Sequence, residues 1–190
     1  MAEEITEEKI VCRIKSAIIL KDRIFIPDYD SHTEMLEELG IEDSRANAER
    51  LFVRAELIPP NNDVFRPIDT WNFNVDQDIL PDWFVEEVDK ERMVKAVSDW
   101  AKDRIHIGVD GLKIDIGRNH YIKDCKNVTV CGSASISEVR GSAMIASSPF
   151  GWKNGDKVIL SDNATFKDNK AKIIYQSGDW ELRLVGKETK

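Results

Sequence analysis

"CGSASISEVRGSAMI", Cys131 to Ile145, states nearly the same phrase twice. Gly132-Ser133-Ala134-Ser135-Ile136 returns nine residues later as Gly141-Ser142-Ala143-Met144-Ile145. The template extends outward in both directions. "NVTV" (127–130), "SASI" (133–136), "SAMI" (142–145) and "NATF" (163–166) each place a small polar residue first and a larger apolar one fourth. Their starts lie six, nine and twenty-one residues apart. Small residues suit turns, and an apolar residue at fixed phase suits short strands that bury one side against the next strand. The reading is a stack of short rungs, with Ile136, Ile145 and Phe166 pointing inward one above another. Such a stack needs a cap, and "KAKIIYQSGDWELRLV" supplies two closing strands around Ser177-Gly178-Asp179.

Before this region the pattern is different. "KIVCRIKSAIILKDRIFIP" is rich in β-branched residues and reads as one or two strands stopped by Pro27. In "DSHTEMLEELG", Ser31 and Glu34 have capping-box spacing, Met35, Leu36 and Leu39 form a stripe, and Gly40 ends a short helix. "RLFVRAELIPP" is a strand ended by Pro59 and Pro60, and "TWNFNVD" alternates, with Trp71, Phe73 and Val75 on one face. From Asp89 to about Arg104, the residues Met93, Val94, Val97, Trp100 and Ala101 recur at helical spacing. Lys90, Glu91, Lys95, Asp99, Lys102 and Asp103 form the opposite, charged face, and Glu91–Lys95 is a favourable pair one turn apart. The fold class is therefore α+β: an acidic α+β domain over 1–110, then a small β-rich, solenoid-like part over 111–190.

Charge divides the chain at the same place. Residues 1–110 carry 26 acids and 14 bases, a net of −12, whereas residues 111–190 carry 9 acids and 13 bases, a net of +4. The acidic part repels nucleic acid and attracts basic surfaces, so direct DNA binding is not expected. With 42% hydrophobic residues a real core is available, and no apolar run approaches the roughly 20 residues of a membrane span. The acidic start "MAEEITEEK" is unlike a secretory leader. Cys12, Cys125 and Cys131 are odd in number and make no CxxC, which fits a reducing compartment. These features imply a cytoplasmic protein with no membrane partner.

Catalytic and metal chemistry finds little to hold. His120, Cys125 and Cys131 spell H-x4-C-x5-C, but structural zinc sites usually pair ligands two to four residues apart. No local motif marks a Cys–His nucleophile, with His32 at a helix start, His106 near a helix end and His120 in a turn. Ser133 and Ser142 lie in Gly-Ser-Ala rather than in a nucleophile elbow, and "GWKNGDK" is a turn around Asn154-Gly155, not a phosphate loop. The expectation is a non-enzyme with no catalytic residues, cofactor or metal.

The stretch with the strongest functional signal is Asp76 to Glu91. Asp76, Asp78, Asp82, Glu86, Glu87, Asp89 and Glu91 fall within sixteen residues beside one base, Lys90. Most such charges form a solvated face, with Asp82 or Asp89 available as a helix cap. Read as a two-carboxylate or Mg²⁺ site, the stretch would be hydrolytic. Fixed carboxylates can also imitate phosphate spacing and occupy a Lys/Arg-lined channel, with Trp71, Trp83 and Phe84 as aromatic anchors. Equally, Trp83 and Phe84 are core residues. The partner-binding set is Asp76, Asp78, Asp82, Trp83, Glu86, Glu87, Asp89 and Glu91.

The phrases "RIFIPDYDSHTEMLEELGI", "FVRAELIPP", "TWNFNVDQDILPDWF" and "NATFKDN…IIYQSGDWELRLV" resemble a loosely defined group of proteins from gut bacteria, their phages and prophages, over roughly Arg23 to Val185. In that group such a domain precedes "NSTV"-like repeats of varying number, and its phrases carry no known catalytic motif. The resemblance implies an accessory or counter-defence role, including anti-CRISPR activity. On that basis the expected function is a phage-type inhibitor of a basic, nucleic-acid-handling defence protein, most specifically a CRISPR effector nuclease with its guide RNA. The alternatives are a structural module that self-associates through its rungs and, third, a hydrolytic or metal-dependent enzyme. Few and irregular rungs argue against a fibre.

Overall fold

The computed structural model describes residues 14–130, 134, 136–147, 157–160, 165–166 and 180–183. Cys12, Cys131, Ser133, the Asn154-Gly155 turn and Ser177-Gly178-Asp179 lie outside the described residues. The chain divides into two compact units, Met1–Phe25 with Asp30–Val94, and Ile26–Tyr29 with Lys95–Lys190. The change in composition at Gly108 to Gly117 falls inside the second.

The first unit is built on an antiparallel sheet of order β2-β1-β3-β4, with β1 Lys15–Leu20, β2 Ile24–Phe25, β3 Phe52–Ile58 and β4 Asn72–Val75. All six residues of β1 are buried. A strand covered on both faces reads as a continuous apolar run, which is why "SAIIL" shows no alternation. One face gathers Ile19, Val53 and Ala55 under Ile24, Phe73, Val75, Trp83 and Phe84. Helix α1, His32–Glu38, packs on β1 and buries Met35 and Leu36, each worth about 1.5–3 kcal/mol. The Ser31 hydroxyl accepts from the Glu34 N–H at 3.3 Å, and Ile41 N–H returns to the Leu36 carbonyl past Gly40, so both expected helix signals operate. A single-turn helix, α2 Arg45–Ala48, precedes β3. Helix α3 spans Glu86–Lys102. It starts three residues earlier than the apolar spacing indicates, because Asp89 reaches back to cap it.

Among the described residues of the second unit, nine short strands alternate between two sheets. β5 Ile105–Ile107, β7 His120–Lys123, β9 Ile136–Arg140 and β11 Lys157–Leu160 pair in parallel in one sheet. β6 Lys113–Ile114, β8 Val128–Val130, β10 Met144–Ser147 and β12 Thr165–Phe166 pair in parallel in the other. Successive strands thus fall in alternate sheets, and the chain as a whole is α+β as expected. The final strand, β13 Trp180–Arg183, reverses direction and closes the first sheet antiparallel to β11. It supplies one of the two closing strands anticipated.

The stacking differs from the expectation in one respect. "SASI" leads into β9 and "SAMI" into β10, which belong to different sheets. The repeated phrase therefore marks the two walls of one rung, not two successive rungs. Ile136 and Ile145 share one core from opposite sheets, together with Ile114, Ile122, Val128, Val130 and Val139. Ile145 stacks in register on Val128 and pairs with Phe166, whose side chain lies outside the described set. Ala134 and Ala143, both fully buried, occupy the corners where the chain passes between sheets. Ile136 and Val139 both face inward although three residues apart. A bulge between His120 and Tyr121 on the partner register absorbs the extra residue and restores the phase.

Corners also need left-handed backbone. Asp124 (φ 53°) and Asn127 (φ 52°) turn the chain from β7 to β8, and Gly108 and Gly111 take the same role sixteen residues earlier. Gly141 (φ 69°) has a second constraint: a Cβ there would lie 2.1 Å from Asp124 Oδ1. That oxygen accepts from the Ser142 N–H at 2.8 Å and its hydroxyl at 3.2 Å, which holds the Asp124 carboxyl below the usual range.

Candidate functional site

The acidic stretch does not stay together as one set of hydrated charges. Asp78, Asp82, Glu86, Glu87 and Glu91 are exposed. Asp89 corrects the expectation: it is 3% exposed. Its Oδ2 accepts from the Val85 N–H at 2.9 Å, and its Oδ1 meets Arg92 Nη1 at 2.5 Å. Arg92 in turn donates to the Leu20 carbonyl at 3.0 Å. Asp89 is thus a capping and bracing residue, satisfying an otherwise orphan donor at the start of α3. Glu86 and Glu87 sit in the same first turn, where the helix dipole favours negative charge.

The aromatic residues are drawn inward. Trp71 is 3% exposed and its indole donates to the Arg66 carbonyl at 3.0 Å, so it serves the unit's interior and not an interface. Trp83 is half-buried, packs on the Ile19–Val53–Ala55 cluster and donates to the Arg50 carbonyl at 2.8 Å. What the exposed acids have beside them is aliphatic: Leu80, Val85 and Val88 are 44%, 49% and 54% exposed. Asp78 also borders a shallow cleft of about 290 Å³ with Asp43, Arg45, Arg54 and Gln77, in which Arg54 pairs with Asp43.

Asp76 belongs to a different constellation. It follows β4, and its N–H bonds to the Arg54 carbonyl. Its Oδ2 lies 3.2 Å from His32 Nδ1, and His32 Nε2 lies 3.3 Å from the Ala55 carbonyl. Glu56 joins them on β3, with donor atoms of all three residues within 4.8 Å of one another. Twenty-four residues separate His32 from Glu56 and twenty separate Glu56 from Asp76, so sequence spacing gave no sign of the cluster. The available signal was the sheet register: Glu56 opposes Asn74, and Asp76 is two residues further along the same face.

In the second unit His106, four residues past the end of α3, and His120, expected in a turn, lie on neighbouring strands, because β5 begins at Ile105 and β7 at His120. Their rings stack with centroids 5.4 Å apart, and His106 Nε2 meets His120 Nδ1 at 3.1 Å. His120 Nε2–H donates to the Ile116 carbonyl at 2.9 Å, leaving Nδ1 to accept from His106. Burial first, then the neighbouring His120 and Arg104 charges, lowers the His106 pKa from 6.5 to about 4. Burial likewise lowers His120. Arg104 is held by both carboxylate oxygens of Asp28 at 2.9 and 3.0 Å. Cys125 points its thiol at the His106 and Lys123 carbonyls, and burial pushes that thiol's pKa up. It meets the backbone of His106, not its ring, so the structure brings together no Cys–His nucleophile from these residues.

No helix among the described residues is long and apolar enough to cross a membrane. Compared with models of protein families, with curated proteins and with solved structures, the chain has no match in any of the three.

Proposed function

We propose that the protein is a non-enzymatic binding protein, acting in the cytoplasm, whose first unit presents the 78–91 segment to a basic partner surface. One observation supports this reading above the others: five exposed carboxylates, Asp78, Asp82, Glu86, Glu87 and Glu91, are interleaved with three exposed aliphatic side chains, Leu80, Val85 and Val88. Charge alone is satisfied by water. Exposed aliphatic groups set among like charges gain by burial against a partner, while the acids select a positive one and speed its capture. A nucleic-acid channel lined by lysine and arginine fits that chemistry, since its floor is built to receive phosphates. The particular target proposed is a CRISPR effector nuclease with its guide RNA, which rests on the family resemblance alone.

The experiment is co-elution of the purified chain with such a nuclease–guide complex, followed by a cleavage assay across a salt series. Binding is expected to weaken as salt rises, because exposed charges are screened over about 8 Å at physiological ionic strength. The triple variant Asp78→Lys, Glu87→Lys, Glu91→Lys is expected to lose inhibition and keep its fold. Intact inhibition by that variant, or no binding at low salt, removes the proposal.

A further inference from the structure

We propose that His32, Glu56 and Asp76 form a site for one divalent transition-metal ion. The three residues come from the first position of α1, the middle of β3 and the exit of β4, so tertiary folding alone assembles them. Three features point to a cation.

The first is the orientation of the His32 ring. His32 Nε2 lies against the Ala55 carbonyl at 3.3 Å, an oxygen that can only accept, so Nε2 carries the hydrogen. The other ring nitrogen, Nδ1, then faces Asp76 Oδ2 at 3.2 Å, a carboxylate oxygen that can only accept. Only a proton or a cation between them makes that approach favourable. A ring nitrogen fixed by a carbonyl bond on its far side is the usual orientation of a metal-bound histidine.

The second is geometry. A tetrahedral ion with bonds of about 2.1 Å sets its ligand atoms about 3.4 Å apart. The His32–Asp76 separation already matches, and Glu56 lies within reach, with all donors inside 4.8 Å. Asn74 Nδ2 donates to Glu56 Oε2 at 3.3 Å, orienting the carboxylate from outside the cluster.

The third is a buried hydroxyl. Ser16 is 0% exposed, and its Oγ has no hydrogen-bond partner. In the β1–β3 register Ser16 stands directly opposite Glu56, on the same face of the sheet. An unmet polar group beside a candidate ligand is accounted for when the carboxylate turns toward an ion and gives Ser16 an oxygen to bond.

One imidazole and two carboxylates select a first-row ion such as Zn²⁺ over Mg²⁺ or Ca²⁺, which prefer oxygen ligands alone. Two negative charges neutralise the ion. The Asp76 side chain is 59% exposed, so a coordination position stays open to solvent. Bound metal would clip the start of α1 to β3 and β4. None of the residues reversed in the partner-binding test is a ligand, so the two proposals fail separately.

The full chain, stripped with a chelator, is titrated with Zn²⁺ and Co²⁺ by calorimetry, with nitrogen NMR of the histidine rings as a second readout. One equivalent is expected to bind, to shift the His32 Nδ1 resonance and to raise the unfolding temperature. His32→Ala and Asp76→Asn should each abolish saturable binding, and Glu56→Gln should weaken it at least tenfold. Asn74→Ala should weaken it about 10–100-fold, the range for residues that orient a ligand. Mg²⁺ in excess should not compete. The proposal is overturned if no saturable binding is seen, or if an ion binds while the wild-type His32 resonance stays in place. The NMR measurement decides the question even if a variant fails to fold.

Discussion

The two units bury their side chains by opposite strategies. In the first, β1 lies at the centre of an antiparallel sheet and is covered on both faces, so six consecutive residues are buried. In the second, no strand among the described residues exceeds five residues, and β6 to β10 each give the shared core one or two inward side chains. The first core depends on a few long-range strand pairings, the second on a repeated local step from one wall to the other. Polar clusters follow from the same difference. His32, Glu56 and Asp76 meet because a sheet register joins distant segments, whereas His106 and His120 meet because neighbouring strands stack fourteen residues apart.

The sharpest test of this contrast is a cavity in one core. Ile145 is fully buried between the walls of the second unit, and Ile145→Ala should cost about 2–5 kcal/mol. Amide exchange should rise across β7 to β10 while β1 and β3 keep their protection. Equal loss in both units would show that the cores are not independent.

A smaller effect is expected at a corner. Gly141→Ala meets both a positive φ and the Asp124 carboxylate, and should cost about 1–3 kcal/mol. Gly40 also has a positive φ but open space around it, so Gly40→Ala should cost less. Chemical denaturation of the pair compares crowding with backbone strain. Similar losses would mean that the Asp124 contact is not a constraint.

Two acids only two residues apart, Glu87 and Asp89, should separate in the same experiment. Asp89→Ala removes the acceptor of both the Val85 N–H and the Arg92 guanidinium and should cost about 1–3 kcal/mol. Glu87→Lys changes an exposed side chain and should move stability by only about 0.5 kcal/mol. If the two lose stability equally, the cap is not what holds Asp89.

The histidine pair gives a difference in pH response. His106 is lowered in the folded chain from 6.5 to about 4, because its charged form is poorly accommodated there. Its unfolded form therefore takes up protons first as pH falls. Stability is full above about pH 6.5 and declines toward pH 4, where the folded ring also titrates. The loss should localise to the second unit, and His106→Asn with His120→Asn should flatten it. An unchanged slope in the double variant would assign the acid sensitivity elsewhere.

Local signals in the sequence carried through where the physics is local. The Ser31 cap, the Gly40 stop, the Pro59–Pro60 strand end and the alternation of Phe73 and Val75 each involve groups within a few residues. The failures have a common cause. The Gly-Ser-Ala phrase signalled short stacked strands but not which wall each would join, since the corner between β9 and β10 sets that. Within the run of seven acids the sequence offered Asp82 or Asp89 as a cap without choosing between them, and it is Asp89 that turns inward to Arg92 while Glu87 is left in water.

What the sequence determined alone was the inventory: an acidic α+β part, a small-residue repeat suited to parallel rungs, and an acidic stretch at a strand-to-helix junction. Periodicity, capping and charge act over one or two turns of chain, so they are legible without a fold. The tertiary structure decided which polar groups face one another. His32, Glu56 and Asp76 are separated by twenty or more residues, and only the β3–β4 register and the docking of α1 bring their donor atoms within 4.8 Å. Register is set by the whole buried face of a sheet, because a one-residue slip would exchange its apolar and polar sides. A site built on register is therefore fixed by the core and not by the spacing of its own residues.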